Sequence, residues 1–272
     1  MTKKVNKVKA QPFLRWAGSK KKILQQLSAY YRPDYKRYVE PFAGSASLFF
    51  KLKPKRAILG DINNDLISTY REIKYRFPEV IRELRKLKKG KRQYYQLRQL
   101  DASTLTSAQK AARFIYLNRY CFNGLYRTNM KGQFNVPYGG YKSGSLPSKV
   151  DLQECANSLK NTTIISGSFE KTLQKVQTGD FVYIDPPYSM NSRRVFNEYS
   201  NINFGDDELK SLRLQLIRLD KIGVYFLVSY GLSKEARELA RGFKTREVKI
   251  HRQIAGFAAN RRRYKDLLIT NY

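Results

Sequence analysis

The sequence predicts an α/β fold: a mainly parallel sheet of seven strands, covered by helices on both faces and interrupted by a helical insertion. Three observations predict it. Short apolar or β-branched runs with polar flanks recur along the chain, and stretches with helical spacing lie between several of them. Alternation of this kind favours a parallel sheet buried on both sides. From 63 to 160 the alternation stops, and the sequence turns helical and basic.

Strands are expected at 37–42, 56–61, 162–166, 180–185, 224–229, 244–251 and 264–270. Helical patterns fall at 46–52, 169–176, 206–221 and 233–240. The last two strands follow each other without a helix, which predicts a terminal hairpin on the sheet edge. Inside the insertion, helices are expected at 78–88, 94–100 and 107–122, followed by a loop rich in Gly, Tyr and Asn from 123 to 145. The organisation is therefore a core of residues 1–62 and 161–272, split by an insertion at 63–160. At 272 residues the chain can bury a large core without disulfides.

Composition narrows the function. Lys and Arg total 53 against 22 acids, a net charge of +31, accompanied by 20 tyrosines and 15 phenylalanines. Solubility alone is served by a net charge of roughly 2–8, so the excess points to a polyanion, with nucleic acid the first candidate. Cys121 and Cys155 lack metal-ligand spacing and are expected as buried thiols. With His251 as its single histidine, the chain offers neither a Cys/His metal cluster nor a Ser-His-Asp triad. No metal is expected. No apolar run approaches the ~20 residues of a membrane span, and the basic N-terminus has no apolar stretch behind it. A cytoplasmic protein, monomeric in solution and bound to nucleic acid, is the expectation, and a basic RNA-associated housekeeping protein is the alternative reading of the charge.

The sharpest local feature is Asp185-Pro186-Pro187-Tyr188, which closes the strand that carries Val182 and Ile184. Two prolines end the strand and remove two backbone donors. The turn then presents only acceptors: carbonyl oxygens and the Asp185 carboxylate. An exocyclic amine has two N–H donors and needs two acceptors, and Tyr188 offers a flat face for a base to stack on, worth roughly 1–3 kcal/mol. This suits alkylation of an adenine amino nitrogen by positioning and electrostatics. A duplex base must be flipped out to reach such a turn. Cytosine-C5 chemistry would need a Pro-Cys nucleophile, and neither cysteine follows a proline.

A nucleotide-like ligand is expected at the end of the first strand, in Glu40-Pro41-Phe42-Ala43-Gly44-Ser45. Gly44 allows close backbone approach, and Asp61 ends the next strand about 17 residues later, where an acid can accept from ribose hydroxyls. G-x-G-x-x-G is absent, and Glu40 would repel phosphates but attract the cationic amino group of S-adenosylmethionine. An ordinary strand-turn-helix corner fits the same residues. Upstream, Trp16 reads equally as a packing anchor or as a cofactor contact, with Lys20 near the cofactor carboxylate.

Together these motifs resemble the Dam family of DNA adenine-N6 methyltransferases, over nearly the whole chain and in order. The family's N-terminal segment is similar to Phe13-Leu14-Arg15-Trp16-Ala17-Gly18-Ser19-Lys20, and its closing hairpin to Arg261-Arg262-Arg263-Tyr264-Lys265-Asp266-Leu267-Leu268. The resemblance implies a Rossmann-like methyltransferase core and S-adenosyl-L-methionine as cofactor. It implies Asp185, Pro186, Pro187 and Tyr188 as catalytic residues. For the cofactor it implies Trp16, Lys20, Glu40, Phe42, Gly44, Asp61 and Phe169, with Asp185 shared. The stretch 118–127, followed by 132–139, is similar to the family's target-recognition segment. That assigns Arg15, Asn123, Leu125, Arg127, Asn135, Pro137 and Tyr138 to double-stranded DNA. Asn123 and Arg127 have the chemistry to read adenine and guanine edges, and GATC is the implied target. Ala46 stands where the family's turn commonly has a second glycine, Arg15 where lysine is common, and 189–199 matches only through Phe196 and Tyr199. Two other readings remain: a methyltransferase acting on RNA or protein amides, and a non-catalytic DNA-binding module.

Overall fold

The computed structural model describes residues 11–187, 204–251 and 263–272. In chain order its elements are α1 (Leu24–Ser28), β1 (Tyr38–Glu40), α2 (Ser47–Leu52), β2 (Ala57–Asp61), α3 (Asn64–Arg85), α4 (Lys91–Gln99), α5 (Ser107–Tyr120) and α6 (Lys149–Leu159). Then follow β3 (Thr162–Ser166), α7 (Phe169–Leu173), β4 (Phe181–Ile184), α8 (Asp206–Lys221), β5 (Tyr225–Gly231), α9 (Lys234–Ala240), β6 (Lys244–His251) and β7 (Arg263–Thr270).

All seven strands form one sheet in the order β3-β2-β1-β4-β5-β7-β6. The first five run parallel, and β7 inserts antiparallel between β5 and β6. The expected terminal hairpin is thus present, with β6 on the edge. Side chains alternate between two cores as strand geometry requires. Tyr38, Leu59, Phe181, Tyr183 and Leu227 join Leu66, Tyr70, Ile73, Ala111 and Leu152 from α3, α5 and α6. Val39, Ile58, Val182, Phe226 and Val228 face Leu173, Leu212, Leu216 and Leu239 from α7, α8 and α9. The insertion therefore shares a core with the sheet.

Helices α1, α3 and α6 differ from the segments the sequence predicts. Pro78 suggests a helix start, since proline suits the first turn, but α3 begins at Asn64, capped by Asn63, whose side chain accepts from the Leu66 amide at 3.0 Å. The helix is interrupted at Arg76 (φ −140°, ψ 33°), so Pro78 opens its second half. Helix α6, absent from the reading, carries a capping box: Ser148 Oγ accepts from the Asp151 amide while Asp151 Oδ2 accepts from the Ser148 amide. Both cysteines are free and buried, and burial pushes each thiol up to about 12. Among the described residues no helix is long and apolar enough to cross a membrane.

Strand order reverses between β1 and β4, and the crevice outside their carboxyl ends is where doubly wound sheets bind ligands. Glu40, Asp61 and Asp185 stand at or just beyond the ends of β1, β2 and β4. At the opposite end of the same strands, Arg37 holds the fully buried Asp180 through Nε (3.0 Å) and Nη2 (2.6 Å).

Candidate active site

The register of β4 on β5 pairs Ile184 with Val228, which sets Asp185 beside Ser229. Ser229 Oγ donates to Asp185 Oδ1 at 3.0 Å and shares a hydrogen bond with the Tyr183 hydroxyl at 3.0 Å. The same Oδ1 accepts from Lys20 Nζ at 2.5 Å, and that ammonium also lies 3.6 Å from Asp266 Oδ2 on β7. Lys20 and Asp266 are buried. Burial raises the proton affinity of Asp185, Asp266 adds to the rise, and Lys20 and Ser229 oppose it. Pro186 is buried and Pro187 exposed. Tyr188 and the stretch 189–199 lie outside the described residues, as do Arg261 and Arg262.

One strand over, Glu40 is buried and its Oε2 accepts from the Tyr38 hydroxyl at 2.8 Å. Desolvation holds this carboxyl well above the usual carboxylate range, and Asp185 and Asp61 push the same way. The turn that follows is left-handed at Gly44 (φ +47°), where a Cβ would come within 2.7 Å of Trp16 Cδ1. Trp16 therefore occupies the room the glycine leaves, and its ring also stacks on Tyr126, centroids 5.8 Å apart. Ala46 also has positive φ, +48°, a conformation glycine adopts without steric cost. Asp61 accepts from the Gly44 amide through Oδ2 and from the Asn63 amide through Oδ1, both at 2.9 Å. Burial raises its proton affinity, and these backbone donors lower it. Phe42 stacks on Phe169 at 5.3 Å, and Phe204 meets both rings.

The candidate DNA residues gather on two adjacent extended segments after α5. Phe122 N donates to Pro137 O and Asn135 N to Arg127 O, each at 2.9 Å, and Cys121 bridges to Tyr138. Arg127 Nε donates to Asn135 Oδ1 at 2.7 Å. Asn123 is exposed at φ +54°, Leu125 is half-buried, and Pro137 is exposed. The Tyr138 ring packs on Tyr94 at 5.3 Å. Arg15 lies under this loop: a Cβ at Gly124 would come within 2.6 Å of Arg15 Cβ. Its backbone is held by the buried Asn118, which accepts from Arg15 N at 2.8 Å and donates to Arg15 O at 2.7 Å. The loop after α5, Arg15-Trp16 and the Gly44 turn are thus one continuous contact chain.

A family model described as D12 class N6 adenine-specific DNA methyltransferase matches residues 16–254. The chain belongs to this class. It is an adenine-specific DNA methyltransferase. A type II methyltransferase of Lactococcus lactis subsp. cremoris, M1.LlaDCHI, is 35% identical to it over 98% of this chain and 97% of the relative. The type II methyltransferase M.MjaIII of Methanocaldococcus jannaschii is 34% identical over 97% and 100%. The DNA adenine methylase of Escherichia coli K12 is 32% identical over 96% and 95%.

In this D12 class enzyme the fold brings Ser229 to the site, which no sequence motif covers, together with Asn118 and Tyr126 of the stretch 118–127 and Asp266 of the closing hairpin, for which the motifs imply no individual role. Ser229 and Asn118 carry no local signal, because their partners lie 44 and 103 residues away. Asp266 had one: an acid opening the apolar run Leu267-Leu268-Ile269 of a buried strand.

Proposed function

We propose that the crevice beyond β1, β2 and β4 binds S-adenosyl-L-methionine and a flipped-out adenine of duplex DNA, within GATC. The observation that carries this reading is the anchored Asp185 carboxylate, one oxygen loaded by Lys20 and Ser229, beside the switch point of the sheet. The donor set fits the cofactor. Asp61 ends β2 as an acceptor for ribose hydroxyls, the Phe42 and Phe169 rings offer an apolar wall, and the Glu40 carboxyl suits a cationic amino group better than a phosphate. When bound, the cofactor supplies a methyl group on a sulfonium, an electrophilic carbon with a good leaving group.

The chain's own task is to hold the amine. Asp185 Oδ2 and a carbonyl of the Pro186-Pro187 turn accept the two N6–H bonds, which fixes the nitrogen and enriches its lone pair. Bound there, the cofactor would supply the methyl carbon and take the C–S electrons on sulfur, while Asp185 Oδ2 would guide the proton lost by N6 out along the hydrogen bond it already accepts, and on to solvent. Tyr188 provides the stacking face. Helices and loop of 63–160 form the target-recognition part, with Asn123 and Arg127 reading base edges and the remaining Lys and Arg contacting phosphates. Asp185→Ala is expected to abolish methyl transfer with DNA retention kept. Long-read sequencing of DNA modified in a methylation-free host reads base and target together; adenine methylation outside GATC would replace the target, and unchanged transfer by the variant would remove Asp185.

A further inference from the structure

Three elements distant in sequence converge on one oxygen of the catalytic carboxylate. Lys20 comes from the N-terminal segment, Ser229 from β5, and Asp266, which holds Lys20 from behind, from β7. We infer that Asp266 and Ser229 are positioning residues for methyl transfer, which load and orient Asp185 Oδ1 so that Oδ2 and a net negative charge face the adenine amine. The inference rests on the reading of Asp185 as the N6 acceptor.

The geometry argues for it in two ways. First, Oδ1 has two donors, Lys20 Nζ at 2.5 Å and Ser229 Oγ at 3.0 Å. Ser229 is itself tied to the Tyr183 hydroxyl. A carboxylate fixed at one oxygen cannot rotate, and the acceptor direction of the other is set before the amine arrives. Second, the charge balance needs Asp266. The N6 nitrogen gains positive charge as it takes the methyl group, and a site that stabilises that change must be anionic. Lys20 cancels the charge of Asp185 in a buried setting, where such charges are weakly screened. Asp266, 3.6 Å from the same ammonium, restores one negative charge to the group and holds the flexible lysine stem on the Oδ1 side. Glu40 is a poor substitute, since burial favours its proton.

Among the described residues, the charged and polar groups that bear on Asp185 are Lys20, Asp266, Ser229 and Glu40, and they make opposite predictions for two variants. Ser229 stabilises the ionised form, so Ser229→Ala moves the acidic limb of the rate profile to higher pH. Asp266 disfavours the ionised form, so Asp266→Asn moves that limb to lower pH. Single-turnover methyl transfer to duplex oligonucleotides is measured across pH, with KM for S-adenosylmethionine and for DNA, and with thermal unfolding as a check on folding. The expected result is a fall in rate of about 100-fold for Asp266→Asn and about 10-fold for Ser229→Ala. Both KM values stay within about two-fold of wild type. The limbs shift in opposite directions, and Asp266→Glu recovers part of the rate. Should Asp266→Asn fail to fold, the upward shift in Ser229→Ala carries the test. Wild-type rates with unmoved limbs, or a rate loss without opposed shifts, overturn the inference. Asp185→Asn separates the two levels. If it is inactive while the others behave as wild type, only the positioning roles fall; if it keeps full activity, the reading of Asp185 falls.

Discussion

The Gly44 amide donates to Asp61 Oδ2 at 2.9 Å, so the turn after β1 and the end of β2 are built as one unit. Oδ1 of the same carboxylate takes the Asn63 amide, also at 2.9 Å. Each oxygen keeps a lone pair for a ligand hydroxyl, while the backbone donors hold the group in place. Asp61→Ala strands both amides and is expected to cost about 1–3 kcal/mol of stability, together with at least a roughly ten-fold loss of S-adenosylmethionine affinity. Urea unfolding and calorimetric titration measure the two effects separately. Unchanged affinity in a destabilised variant would make Asp61 a purely structural tie.

Arg127 donates through Nε to Asn135 Oδ1 at 2.7 Å, a contact that orients the guanidinium for its proposed role in reading a base. Arg127→Ala is expected to lose discrimination at one base position by about 1–3 kcal/mol, the range of a bidentate base contact. Asn135→Ala keeps the guanidinium but removes its Nε partner, and a smaller loss at the same position follows. Methyl incorporation into duplexes altered one base pair at a time reads this out. A uniform loss across all sequences would recast Arg127 as a phosphate contact, whose removal instead lowers the salt slope of binding.

The legible parts of this molecule are those written in local pattern. The apolar strands, the paired prolines after Asp185 and the acid ending β2 announce themselves within a few residues, and the sheet that joins them follows from alternation. Helix α6 was equally legible, with Ser148 and Asp151 at capping-box spacing before Leu152, Cys155, Ala156 and Leu159. Pro78 hid the first half of α3, because a proline reads as a helix start and here opens the second half of a kinked one. The partners of Lys20 were not legible at all. Its pairing with Asp185 spans 165 residues, and only the strand order brings Asp185, Ser229 and Asp266 together. The role of Gly44 was half legible: the turn demands glycine, but the atoms that fill its missing Cβ belong to Trp16.

Glu40 sets a pH dependence. Its folded-state proton affinity is raised, chiefly by burial, so its contribution to stability is fully present below the unfolded value of about 4.3. That contribution is lost as pH rises through the folded value. Glu40→Gln resembles the protonated form and keeps an acceptor for the Tyr38 hydroxyl. The variant is therefore expected to match wild type near pH 4 and to gain in Tm as pH rises to 8, by about 2–4 °C for each kcal/mol relieved. A loss of S-adenosylmethionine affinity is expected only where pH exceeds the raised folded value and the wild-type carboxyl is ionised. Thermal unfolding of both proteins across this pH range tests the sign: a stability gap that closes with rising pH contradicts it.

Asn118 links the two halves of the site. From the last turn of α5 its amide grips the backbone of Arg15 in both directions, at 2.8 and 2.7 Å, inside the protein. The gripped segment carries Trp16, which touches the Gly44 turn, on the side proposed for the cofactor, and Tyr126, on the side proposed for DNA. Asn118→Ala leaves a backbone donor and acceptor without partners, at a cost of about 2–4 kcal/mol. Because the loosened segment touches both sides, KM for S-adenosylmethionine and KM for DNA are expected to rise together, with the single-turnover rate at saturation little changed. Asn118→Asp keeps the acceptor for the Arg15 amide and loses the donor, so it should fall between. Steady-state kinetics with each substrate varied in turn, beside hydrogen exchange at the Arg15 amide, measure this. A rise in one KM alone would show that the segment serves one half of the site and that Trp16 does not couple them.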